Sequence, residues 1–83
     1  MATFTWIDKE PSTNFRNKVK GVDLTLQYSD GDKSVQTSCS TVFGTDDIKP
    51  ASYWTEEKID EFAEEKRIKL DWDAQLKEDI KKV

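Results

Sequence analysis

The sequence predicts an α+β fold: a three-stranded antiparallel β-meander packed by two C-terminal α-helices. Three observations carry that reading. Val22, Leu24, Leu26 and Tyr28 alternate with polar residues at period two, as in a strand with one buried face. Asp30-Gly31 follows and is a favoured pair for a tight hairpin turn. The last third of the chain changes to helical spacing, with Ile59, Phe62 and Ala63 on one stripe and Trp72, Leu76, Ile80 and Val83 on another.

The elements are expected in the following order. Phe4 and Trp6, two residues apart, place a short first strand at about residues 2–7, and Pro11-Ser12-Thr13-Asn14 reads as the loop after it. The second strand spans about 19–28 and the third about 33–43, where Val35, Thr37, Cys39, Thr41 and Phe43 share one parity. With Asp30-Gly31 as the loop, Leu26 faces Val35, Leu24 faces Thr37 and Val22 faces Cys39, which makes Cys39 a core residue. Val19 falls on the other parity, so Gly21 marks a bulge or the strand start. A lone hairpin is marginal, so a third strand or a helix must cover it.

The first helix is expected at about 55–67. Thr55 is its N-cap, Glu56 and Glu57 lie in its first turn, and Trp54 with Ile59 forms a hydrophobic staple. The apolar stripe does not continue through Ile68 and Leu70, so a break is expected at 67–71. Asp71 or Asp73 then caps a second helix at about 72–82, with Asp73–Lys77 and Glu78–Lys82 as i,i+4 ion pairs. Nothing between residues 1 and 83 reads as a repeat or a linker, so one domain is expected.

Composition narrows the function. An apolar fraction of 35% against 36% charged would permit disorder, but nine aromatic residues, three of them tryptophan, favour a compact core. A net charge of −4 disfavours phosphate backbones and anionic lipid. The chain has no His for proton transfer near neutral pH and a single Cys, Cys39, so no intrachain disulfide forms and a reducing cytoplasm is the simplest compartment. The N-terminus lacks the positive start and apolar run of a signal peptide, and no stretch approaches the ~20 apolar residues of a membrane span.

Chemistry is sparse. Asp30-Gly31-Asp32 and Asp46-Asp47 are oxygen-rich but lack the spacing of a calcium loop, and one Cys without His gives no zinc set. A thiol nucleophile has no imidazole beside it, and no glycine-rich phosphate loop is present. The expectation is therefore no catalysis, no cofactor and no metal. Arg16, Lys18 and Lys20 alternate beside Phe15; they form either a thin basic stripe for nucleic acid or solvated lysines on an edge strand, and the second fits an acidic chain better.

The carboxylates and tryptophans hold the remaining interest. Glu57, Glu61 and Glu65 recur at i,i+4, as do Glu56, Asp60 and Glu64. Such runs are usually solvated faces; read functionally, they meet a basic partner. Trp6, Trp54 and Trp72 fit a purely structural role best; the alternative is that so small a fold leaves one indole partly exposed for a partner, and Trp54, at the loop-to-helix junction, is then the candidate. Tyr53, Trp54, Glu57, Glu61, Glu64 and Glu65 are thus the candidate partner-binding residues.

Phe4-Thr5-Trp6, Asp30-Gly31, Tyr53-Trp54-Thr55-Glu56-Glu57, and Trp72 with Leu76 and Ile80 together form a layout similar to that of small proteins encoded by tailed bacteriophages. That resemblance implies a role in binding a host or virion protein. The expected function is a small, non-enzymatic protein–protein interaction module, an adaptor or inhibitor acting in the cytoplasm. The alternatives are a structural subunit of a virion or homo-oligomer, and a nucleic-acid-directed regulator.

Overall fold

Strand β1 (Ala2–Thr13), β2 (Lys18–Asp30) and β3 (Lys33–Val42) form an antiparallel sheet in the order β1-β2-β3 in a computed structural model that describes residues 2–13 and 16–83. A 3-10 turn (Thr45–Asp47) leads to β4 (Lys49–Pro50), which pairs with Lys18 and Val19 of β2 where β3 has left off. Helix α1 (Glu56–Lys69) and helix α2 (Trp72–Asp79) follow, and a 3-10 turn (Ile80–Lys82) closes the chain. The α+β meander with two C-terminal helices is as the sequence predicts.

Period two builds the core. Val22, Leu24, Leu26 and Tyr28 of the central strand all point to one face and are all buried. Ile59 and Ala63 of α1, and Trp72, Leu76 and Ile80 along α2 and the turn after it, close over them. Helix α1 lies along β1, whereas α2 packs on β2 and β3. Burial of these side chains contributes about 1.5–3 kcal/mol each, the main force joining the layers.

The hairpin register corrects the sequence reading. Tyr28 faces Val35, Leu26 faces Thr37, Leu24 faces Cys39 and Val22 faces Thr41. The loop is Gly31-Asp32, closed by the Asp30–Lys33 pair. Gly31 takes φ +65°, and Asp32 is not among the residues with positive φ, so only the glycine is left-handed. A glycine at the first central position is the type II′ arrangement, whereas Asp30-Gly31 as type I′ would force Asp30 left-handed too. The slip is two residues, so every side chain keeps its face. Cys39 stays on the core side but is half-buried.

Strand β1 runs through Pro11-Ser12-Thr13, which was expected as loop; Asn14 lies outside the described residues. A bulge at Ile7 hides the continuation. Trp6 faces Leu26 but Asp8 faces Thr25, so beyond the bulge Lys9 and Pro11 occupy the helix-side parity. Lys9 then pairs with Asp60 of α1. Pro11 is tolerable because β1 is an edge strand. A second irregularity, with Ser12 opposite Gly21 and Thr13 opposite Val19, explains the parity change of Val19. Lys18 and Lys20 lie on β2, the central strand, and not on the edge that was expected; Phe15 is outside the described residues.

Thr55 caps α1 as expected, its hydroxyl accepting from the Lys58 N–H at 3.4 Å. The helix runs to Lys69, and the break falls at Leu70-Asp71, leaving Ile68 76% exposed. Asp71 adopts φ 54°, and its N–H donates to the Ile68 carbonyl at 3.2 Å. It therefore serves as the left-handed C-terminal residue of α1, and its side chain makes no capping bond to α2. Glycine is the usual residue there, because a Cβ is strained at positive φ. Asp71→Gly is expected to raise stability by about 1 kcal/mol, read as a higher midpoint in urea denaturation.

The ion pairs of α2 also differ from the expected set. Asp73 pairs with Arg67 rather than Lys77, and Glu78 pairs with Lys81 rather than Lys82. The latter follows from the 3-10 turn at Ile80–Lys82, whose tighter winding brings i,i+3 residues together. Val83, expected on the buried line, is exposed beyond that turn.

Candidate functional site

The candidate surface forms where the chain enters α1. Tyr53 N–H donates to the Pro50 carbonyl at 2.9 Å, and Trp54 N–H donates to the Ala51 carbonyl at 3.1 Å. The turn is moored to the start of β2 by the Ala51 N–H bond to the Asn17 carbonyl at 3.1 Å. These bonds hold two adjacent aromatic residues between β4 and α1.

Trp54 is half-buried among other rings. Its indole stacks on Phe43, with centroids 5.0 Å apart and planes 15° from parallel. Phe62 meets it edge-on at 5.8 Å, and Tyr53 does so at 5.4 Å. Such pairs contribute about 0.5–1.5 kcal/mol each beyond area burial. Trp54 thus packs on Phe62, about two helical turns beyond the Thr55 cap. The Trp54 Nε1–H is enclosed without a hydrogen-bond acceptor. Tyr53 is the exposed member, at 46%, with the Lys49 and Lys58 ammonium groups 5.8 and 5.7 Å from its ring centre.

Two shallow grooves flank these rings. One, of about 250 Å³, is lined by Phe43, Lys49, Tyr53, Trp54 and Phe62. The other, of about 180 Å³, is lined by Tyr53, Trp54, Lys58, Glu61, Phe62 and Glu65. Four of the six residues expected at the site, Tyr53, Trp54, Glu61 and Glu65, therefore meet in one place. Glu57 is exposed one turn earlier on α1. Glu64 faces elsewhere: Trp6 Nε1–H donates to it at 3.1 Å and Arg67 donates to its other oxygen at 3.0 Å.

Charge along α1 is arranged in strips. Asp60 and Glu64 turn toward β1, where Lys9 and Trp6 engage them, and Arg67 of α1 also pairs with Glu64. Glu57, Glu61 and Glu65 run down the solvent side. Lys69 donates to Glu65, and that hydrogen bond, then the Lys69 charge, hold its carboxyl below its ordinary value against an opposing desolvation, with a smaller pull from Lys66. Among the described residues, no ion pair reaches Glu57 or Glu61.

Arg67 locks the helical corner behind this face. It donates to both Asp73 oxygens, at 2.6 and 2.8 Å, and lies over the Phe4 ring at 4.6 Å. Partial burial pulls its guanidinium downward, but Asp73 and then Glu64 outweigh that and hold it above its ordinary value.

Phe43, Phe62, Lys49 and Lys58 complete the site and were not assigned to it from sequence. Phe43 and Phe62 read as ordinary core positions of a strand and a helix. Their convergence depends on the turn at Thr45–Asp47, which periodicity does not reveal. Among the described residues, no cluster of three metal-ligating side chains occurs. Among the described residues, no helix is long and apolar enough to cross a membrane.

Comparison of the chain with protein-family models, curated proteins and solved structures finds no match, so none of these links it to bacteriophage proteins.

Proposed function

We propose that this chain is a small, non-enzymatic protein-binding module, an adaptor or inhibitor of the cytoplasm, that holds a basic segment of a partner protein against the outer face of α1. The carrying observation is the side-by-side placement of an aromatic groove and uncompensated carboxylates. Tyr53, Trp54 and Phe62 offer an apolar seat, and Glu61 lines the same groove with no ion pair among the described residues. Aromatic residues at a partly desolvated seat supply most of the energy in interfaces of this kind, while surrounding charges set orientation and association rate. The matching segment carries one apolar anchor flanked by Lys or Arg. Capture of such a segment blocks or bridges its owner by occupancy alone, with no bond made or broken. A net charge of −4 favours this basic partner over nucleic acid.

The test is selection of random peptides on the immobilised protein, followed by titration of the enriched sequences. Enriched peptides are expected to share an apolar residue with basic neighbours. Tyr53→Ala and Glu61→Lys are each expected to weaken their binding by about tenfold or more, equivalent to about 1.4 kcal/mol, and added salt weakens it further. Ser34→Ala, at the far end of the sheet, leaves binding unchanged. Enriched peptides without basic residues, or equal affinity for all these variants, would contradict the proposal.

A further inference from the structure

The two edges of the sheet are built differently. Along β1, the Ile7 bulge, the charged run Asp8-Lys9-Glu10 and Pro11 interrupt the edge. These are devices that keep a sheet from pairing with another. Strand β3 has none of them between Ser34 and Val42. Ser34 through Thr45 is the longest run in the chain without a charged residue, and it contains no proline.

The backbone phase of β3 follows from its pairing. Asp30 and Lys33 close a two-residue loop, and Phe43 N–H donates to the Lys20 carbonyl at 2.8 Å, one step past the Gly21–Val42 pair. Antiparallel alternation then turns the N–H and C=O groups of the odd residues toward β2 and those of Ser34, Gln36, Ser38 and Ser40 outward. No backbone–backbone hydrogen bond from β3 to an element other than β2 is found among the described residues. On the helix side, the central-strand residues are buried, whereas Val35, Thr37, Cys39 and Thr41 are only half-buried, so the core is open along this edge.

We infer that the β3 edge is a self-association surface, on which a second copy of this chain pairs antiparallel to join the two sheets into one. The occupant is a second copy because the edge complements itself. Each chain carries −4, which opposes contact between most surfaces of two copies, yet here two uncharged strands meet. A two-fold axis at Thr37 uses the whole strand. Thr37 faces its own counterpart, Val35 faces Cys39 of the second copy, Gln36 faces Ser38 and Ser34 faces Ser40. That register covers the half-buried Val35 and Cys39 with each other and preserves the side-chain faces. The inference is independent of the α1 face.

Sedimentation equilibrium of the wild type from about 10 μM to about 1 mM is expected to show a monomer–dimer equilibrium. Gln36→Lys/Ser38→Lys and Gln36→Glu/Ser38→Glu each place like charges opposite one another, and each is expected to be a folded monomer by circular dichroism. An equimolar mixture of the two restores the dimer, because every pair is then opposite in sign. Val35→Cys supplies an independent arm on an otherwise unaltered edge. Its new thiol lies opposite Cys39 of the second copy at a closely spaced pair, so mild oxidation is expected to yield a covalent dimer. A wild type that stays monomeric throughout, charged variants that dimerise as the wild type does, or no covalent dimer from Val35→Cys would overturn the inference.

Discussion

Gly21→Ala is expected to destabilise the fold by about 3 kcal/mol, at the upper end of what one added methyl group costs in a packed interior. A Cβ on Gly21 would lie 1.9 Å from the Thr41 carbonyl oxygen and 3.0 Å from its carbon. Both are backbone atoms of the neighbouring strand, so no side-chain rotation relieves the clash. The site stands beside the irregularity where β2 changes parity between Val19 and Val22, and a residue with a side chain there forces β3 away from β2. For 83 residues, total stability is about 4–12 kcal/mol, so the loss is a large share of it. Gly31 provides the contrast. Nothing lies within 4 Å of a Cβ there, and only its φ of +65° resists substitution. Gly31→Ala is expected to cost about 1 kcal/mol, from left-handed strain alone. Urea denaturation of the three proteins checks the order; a Gly21→Ala midpoint at or above that of Gly31→Ala would contradict the close packing of β2 on β3.

Leu76→Ala is expected to cost about 3–5 kcal/mol, the range for a fully enclosed leucine whose neighbours cannot collapse into the gap. Leu76 is 0% exposed and belongs to the helix that packs on both β2 and β3. Its loss leaves a cavity where Leu24, Leu26 and Trp72 share one cluster. Leu70 is the natural comparison, since it lies in the break between the helices and is 45% exposed. Leu70→Ala is expected to cost less than about 1 kcal/mol. Thermal unfolding followed by near-ultraviolet circular dichroism reads both variants. Equal losses for the two leucines would mean that the helices pack on the sheet by a different face.

Period-two alternation in Val22 to Tyr28 and helical spacing in Ile59 to Ile80 were enough to place the sheet, the helices and the break between them, because one-sided burial imposes those periods directly. The hairpin register was not legible to better than two residues. Two glycine-containing turns of equal length give the same faces, and only the φ demanded of the residue before Gly31 separates them. The second half of β1 was hidden because the Ile7 bulge reverses the alternation and Pro11 imitates a loop. At the candidate site, the position of Tyr53, Trp54, Glu61 and Glu65 at the start of an acidic helix was enough to group them, and they line one groove. Glu64 was misplaced with them because spacing along a helix does not reveal that Trp6 and Arg67 claim its carboxylate. Phe43 was missed as a site residue because it joins the others only through the tertiary path of the chain after β3.

The most direct test of the proposed binding face is a heteronuclear NMR titration of the isotope-labelled protein with a selected basic peptide. The Trp54 side-chain N–H, enclosed behind the rings that line the groove, is a reporter of that seat. The account predicts that its signal, together with the backbone amides of Tyr53, Glu61, Phe62 and Glu65, shifts on binding while those of Ser34 to Ser40 stay in place. Shifts confined to the sheet or to α2, with the Trp54 indole signal unmoved, would contradict it.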